Sequence, residues 1–152
     1  MTRLLVVQHQ ADAGLGRLHR YLASDADLQV VRPDLGDRLP DDLEGIDGVV
    51  VLGGSPAAWE DERAPWLPPT RALMARAVDE AVPLLGLCLG AQLLALATGG
   101  QVERGTAGLE TGLSLIALAA VLVAALLRRR ERVNRTDDPA TSGAHGDLEP
   151  VR

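Results

Sequence analysis

Residues 83–100, PLLGLCLGAQLLALATGG, decide how the rest of the chain is read. The apolar run Val82–Leu87 predicts a buried strand, Leu89–Ala97 predicts a helix, and Thr98-Gly99-Gly100 closes it. Cys88, the only cysteine in 152 residues, falls between the two, with Gly86 and Gly90 flanking it. A strand that ends in Gly-x-Cys-x-Gly and turns at once into a helix has the form of a nucleophile elbow. So sharp a turn leaves no room for bulk two residues before or after the nucleophile, which accounts for both glycines. The turn also sets the thiol at a helix N-terminus, where the dipole favours the attacking thiolate. The backbone N–H of Leu89 then points where an oxyanion would form. A buried structural cysteine is the alternative, since free cysteine behaves as a small hydrophobe. The glycines and the strand-to-helix position argue against it.

Upstream, Leu4–Val7, Leu28–Val31 and Gly48–Leu52 are compact apolar runs that predict further strands of a buried parallel sheet. A short strand is expected at Gln101–Glu103. Leu15, Leu18, Tyr21 and Leu22 recur at helical spacing and predict a helix over 14–24. Residues 68–81 predict another, with proline in its first turn and Leu73, Met74, Ala77 and Val78 on one side. The acidic stretch Asp34–Asp47 reads as loop or short helix. Strands alternating with helices make an open α/β sheet the expected fold. Gln8-His9 and Gly53-Gly54-Ser55-Pro56 end two of its strands on the edge where such sheets place ligands.

The length allows one domain with a real core. That core has to be aliphatic, because the chain holds no Phe, two Trp and one Tyr. Every cation is arginine, and the net charge of −6 arises entirely within residues 1–105. An acidic domain without a basic patch argues against nucleic acid as a partner. One cysteine excludes an internal disulfide framework and fits a reducing compartment. The opening MTRLLVVQHQ has too short an apolar run for a secretory signal, so a cytoplasmic location is expected.

On these residues the chain resembles the class I glutamine amidotransferases, and within them the subgroup often labelled GMP synthase-like. The resemblance rests on GLCLGAQ at 86–92, LGGS at 52–55 and WEDERAPWL at 59–67, and extends to about Arg104. It implies a three-layer, flavodoxin-like open parallel α/β sheet. It also implies hydrolysis of glutamine to glutamate and ammonia through a γ-glutamyl thioester on Cys88. Gly53 and Gly54 match the family's oxyanion loop, where glycine lets backbone approach the substrate, and Leu89 contributes its N–H. Gln92 matches a position that contacts bound glutamine; an exposed helix glutamine is the alternative. The resemblance implies no metal and no cofactor; the partners it implies are glutamine and an ammonia-accepting synthetase. A related superfamily of cysteine-elbow chaperones and deglycases shares the strand-to-helix cysteine. The Gly-Gly-Ser loop and Gln92 fit the amidotransferases better.

The family's base follows the nucleophile within a His-x-Glu pair. Here His145 is the only histidine after Cys88, and Glu149 stands four residues on, not two. The tripeptide HGD at 145–147 is similar to a segment that precedes the pair in the subgroup, not to the pair itself. Without a base and its orienting carboxylate, impaired activity is expected. His9 is out of order for that base and is expected to bond loop backbone near the site. His19 is expected to be solvated.

After Arg104 the composition changes. A partial amidotransferase-like domain is expected over 1–110, an apolar helix with an arginine cluster over 111–132, and a disordered tail over 133–152. Thr111–Leu127 is 17 residues without a charge, followed by Arg128-Arg129-Arg130-Glu131-Arg132. It reads as a short membrane span with the arginines on the cytoplasmic side, as a buried core helix, or as a departure from the family's sequence. The departure, through a frame change or through degeneration that leaves the domain truncated, is the favoured hypothesis. The alternative function is a catalytically inactive protein for binding or regulation, attached to a membrane as a single-pass protein, or a fragment without a role of its own.

Overall fold

The computed structural model describes residues 2–103. The apolar helix, arginine cluster and tail expected from residue 111 onward lie outside the described residues, as does His145. Four apolar runs form strands: β1 (Thr2–Val7), β2 (Ala26–Val31), β3 (Gly48–Val51) and β4 (Leu84–Gly86). They pair in parallel in the order β2-β1-β3-β4, with Val7 opposite Val31 and Val51, and Val51 opposite Gly86. The central strands β1 and β3 are covered on both faces, which is why they read as unbroken apolar runs rather than alternations.

Their side chains divide between two layers. Leu5, Val7, Val49, Val51 and Leu84 face Leu73, Met74 and Ala77 of α2 (Leu67–Asp79) and Leu89, Leu93 and Leu94 of α3 (Leu89–Ala97). Val6, Val50 and Leu52 form a smaller cluster, against which pack Leu15 and Leu22, the latter in α1 (Leu18–Leu22). The result is the three-layer open parallel sheet, of flavodoxin-like strand order, that the resemblance implies. Among the described residues the fully buried apolar side chains are all aliphatic, with Trp66 packed partly buried against the larger cluster.

The structure corrects two expectations. The helix predicted over 14–24 is five residues long. Gly16 has φ 52°, left-handed backbone that cannot lie inside a right-handed helix, so the helix starts after it. Leu18 and Tyr21, two of the residues whose spacing predicts that helix, are 38% and 61% exposed. Gln101–Glu103 does not form a strand; it has no pairing partner among the described residues, and Gln101 and Glu103 are exposed. Among the described residues no helix is long and apolar enough to cross a membrane.

The strand order also locates a crevice. β2 lies on one side of β1 and β3 on the other, so the connections leaving the C-terminal ends of β1 and β3 diverge. Those ends are Gln8-His9 and Gly53-Gly54.

Candidate active site

Beyond β4 the chain reverses at once. Leu87 N–H donates to Val51 O at 2.9 Å, and Gly90 N–H donates to Leu87 O at 2.9 Å, closing the turn. Cys88 caps α3 with φ 51° and ψ −111°. A residue with a side chain holds such backbone at a cost of about 1–3 kcal/mol. Close packing enforces it. A methyl group on Gly86 would lie 2.6 Å from Gly90 O, and one on Gly90 would lie 2.2 Å from Val51 O. Both obstacles are backbone, so the glycines flanking Cys88 are sterically required. Cys88→Gly is therefore expected to melt higher than Cys88→Ala, by about 1 kcal/mol of stability, because glycine relieves the strain that alanine keeps. Equal melting temperatures would contradict that account.

The loop leaving β3 lies beside the thiol. A methyl on Gly53 would sit 3.3 Å from Cys88 Cβ and 3.9 Å from Sγ; one on Gly54 would sit 2.9 Å from Leu89 Cδ2. Cys88 is exposed, whereas Leu89 next to it is buried. The N–H groups of Gly54 and Leu89 find no acceptor among the described residues. Free amide donors and an accessible sulfur thus share one end of the sheet, an arrangement suited to holding negative charge on a tetrahedral oxygen.

The tip of β1 braces this loop from below. Gln10 Oε1 accepts the Ser55 N–H at 2.7 Å, while Gln10 Nε2 donates to Asp12 at 2.7 Å. Gln8 Nε2 donates to Gln10 O at 2.8 Å and so holds the tip in shape. His9 is 1% exposed, and a methyl on Gly54 would approach its Cβ to 3.1 Å. Burial pushes the His9 imidazole down to about 4, with the Asp34 carboxylate opposing the shift weakly. Asp34 itself is held below the usual carboxylate range by hydrogen bonds from Arg32 at 2.8 and 2.6 Å. Farther along the loop, Arg71 of α2 donates to Ala58 O and to both Asp61 oxygens, tying residues 58–61 to the helix.

Comparison with known proteins agrees with this geometry. The profile of the family Glutamine amidotransferase class-I matches residues 12–135. The chain belongs to this family. Its matched span runs past the change of composition at Arg104. This amidotransferase-family chain is 36% identical to the glutamine amido transferase from Methylobacillus flagellatus, with a TM-score of 0.65 over 70% of this chain and 42% of that one. It is 39% identical over 75 residues to the GMP synthase (glutamine-hydrolyzing) of Symbiobacterium thermophilum, covering 49% of this chain and 13% of that protein. It is 33% identical over 104 residues to the Glutamine amidotransferase-like protein chry6 of Gibberella zeae, covering 67% and 43%. The chain spans less than half the length of each of these relatives.

Of the residues singled out in the sequence, Cys88, Leu89, Gly53 and Gly54 come together in this amidotransferase-like domain. Gln92 lies one turn into α3, half-buried, with its N–H donating to Cys88 O at 3.2 Å. His19 is exposed, as expected. His9 differs from expectation: it lies near the site, but neither ring nitrogen has a hydrogen-bond partner among the described residues. Gln10 was not anticipated, because its bond to Ser55 joins residues 45 apart in sequence. The described residues hold no group of three or more His, Cys, Asp or Glu side chains that could bind a metal ion.

Proposed function

We propose that the domain binds glutamine at the C-terminal ends of β1, β3 and β4, with Gln92 among its contacts, and that Cys88 is the nucleophile. The observation that carries this reading is a strained, accessible Cys88 beside unpaired N–H groups of Gly54 and Leu89. In the proposed reaction the Cys88 thiolate attacks the side-chain carbonyl carbon of glutamine, and charge gathers on the oxygen between those two donors. The C–N bond breaks, the departing nitrogen takes a proton and leaves as ammonia, and a γ-glutamyl thioester remains. Water then attacks the thioester, releasing glutamate and restoring the thiol. The ammonia passes to an acceptor; the GMP synthase among the relatives supports a synthetase as that partner.

Both steps need a proton carrier. The only histidine after Cys88 is His145, and no glutamate stands two residues beyond it. We infer that protons travel through solvent and that turnover by this chain is slowed by about 10²–10⁴-fold relative to a site with a positioned base. Glutamate release from glutamine is expected to be slow in the wild type and lower still in Cys88→Ala. Equal rates in the two proteins would rule out catalysis by this thiol.

The missing His-x-Glu pair also favours a second reading, a binding or regulatory protein that keeps the pocket without turnover. Calorimetric titration of glutamine into Cys88→Ala separates the two from a chain with no pocket at all. A membrane-attached form of this reading draws on the uncharged run Thr111–Leu127, with the domain ending near residue 110. Recovery of the full chain wholly in the soluble fraction after cell fractionation would end that version.

A further inference from the structure

We propose that His9 is a positioning residue: when glutamine enters, its buried imidazole bonds the backbone of the Gly53–Gly54 loop and holds the Gly54 N–H towards Cys88. The inference rests on Cys88 as the attacking group and deepens that reading.

Gln8 N–H makes the last bond of the strand to Val31 O, at 3.0 Å, and His9 follows directly. The His9 side chain is sealed at the strand ends, its Cβ pressed close to Gly54. The Arg32–Asp34 pair is the charged group nearest to it in effect, and Cys88 lies across Gly53. Neither Nδ1 nor Nε2 has a partner among the described residues. A neutral imidazole carries one donor and one acceptor, and leaving both dry inside a protein is costly. Leucine would fill a buried position of this size without that penalty. An unpaired ring under a loop whose Gly53 and Gly54 carbonyls accept no bond among the described residues is therefore poised to donate to that backbone in the complex, which leaves the Gly54 N–H free for the oxyanion. Catalytic hydrogen bonds commonly tighten only once substrate is bound. His9 reaches the reaction through Gly54 alone, so its role is to aim a donor.

The test uses the full chain and two reagents that alkylate the same sulfur. Iodoacetamide is small and needs no pocket; the chloromethyl ketone analogue of glutamine requires the pocket and the oxyanion donors. In each case a C–S bond forms and halide leaves, so the ratio of the two rates cancels the thiolate fraction of Cys88. The wild type is expected to favour the glutamine analogue. His9→Leu, checked for a cooperative melt, is expected to lower that preference at least tenfold. His9→Asn, which restores a donor and an acceptor, is expected to recover part of it. A wild type without any preference overturns the glutamine reading and the His9 role together. A preference that survives unchanged in His9→Leu overturns the His9 role alone. A second measurement needs no substitution at His9. In ¹⁵N-histidine-labelled Cys88→Ala, saturating glutamine is expected to slow exchange of one His9 ring N–H proton and shift its nitrogen. Binding of glutamine with no change at His9 overturns the proposal.

Discussion

Gly90→Ala is expected to prevent stable folding of the domain. The added methyl would lie 2.2 Å from Val51 O, 2.8 Å from Val51 C and 3.2 Å from Leu52 O, all of them backbone atoms of β3 or its continuation. β3 cannot retreat, because Val51 is held between Val7 of β1 and Gly86 of β4. Leu87 N–H also bonds that same Val51 carbonyl. α3 would have to lift away instead, taking Leu89, Leu93 and Leu94 out of the core. Leucine burial is worth about 2–5 kcal/mol per site when lost. Disturbing three together is comparable with the whole stability of a small domain, about 5–15 kcal/mol. Gly53→Ala is the control, since its methyl would meet Cys88 Cβ at 3.3 Å, a contact relieved by a small shift. Its stability should fall by about 1 kcal/mol or less. Thermal melts followed by circular dichroism decide the matter: a cooperative Gly90→Ala transition close to the wild type would show that the close packing of α3 on β3 is wrong.

The same contrast explains what was legible in the sequence. Gly86 and Gly90 announce the elbow because backbone-to-backbone contact forbids any other residue, so geometry leaves a fixed spacing in the text. β1 and β3 were legible because strands covered on both faces need unbroken apolar runs. α1 is shorter than the pattern implies because Leu15, Leu18, Tyr21 and Leu22 fit a helical period, while Gly16, whose left-handed backbone forestalls the early turns, leaves that period intact. The bond between Gln10 and Ser55 leaves no local trace, since neither residue's neighbours demand it. His9 is the instructive case. Its place at a strand end was readable, but its complete burial depends on where a loop 45 residues away comes to rest.

That burial leads to the second large effect, a loss of stability in mildly acidic solution. In the folded domain His9 titrates at about 4 instead of 6.5, because a charged imidazole would have to sit away from water. The unfolded chain therefore binds the proton more readily than the folded one between these two values. Stability is full above pH 6.5, falls as pH drops through the window, and levels off below about 4. The total is about 3 kcal/mol. Asp34 and Asp61 act in a different window. Hydrogen bonds from Arg32 and Arg71 hold their pKa values below the ordinary 3.8, so their contribution is present above that value and is lost only at lower pH. Urea midpoints measured at half-unit steps from pH 7.5 to 4 are thus expected to stay level down to about pH 6.5 in the wild type and to decline from there to pH 4. His9→Leu removes the titrating group and should flatten the profile across the same range, while standing as high as the wild type or higher at pH 7.5, since two buried ring nitrogens without partners are then gone. Parallel declines in both proteins would mean that the acid sensitivity arises elsewhere and that His9 is more open to water than its 1% exposure implies.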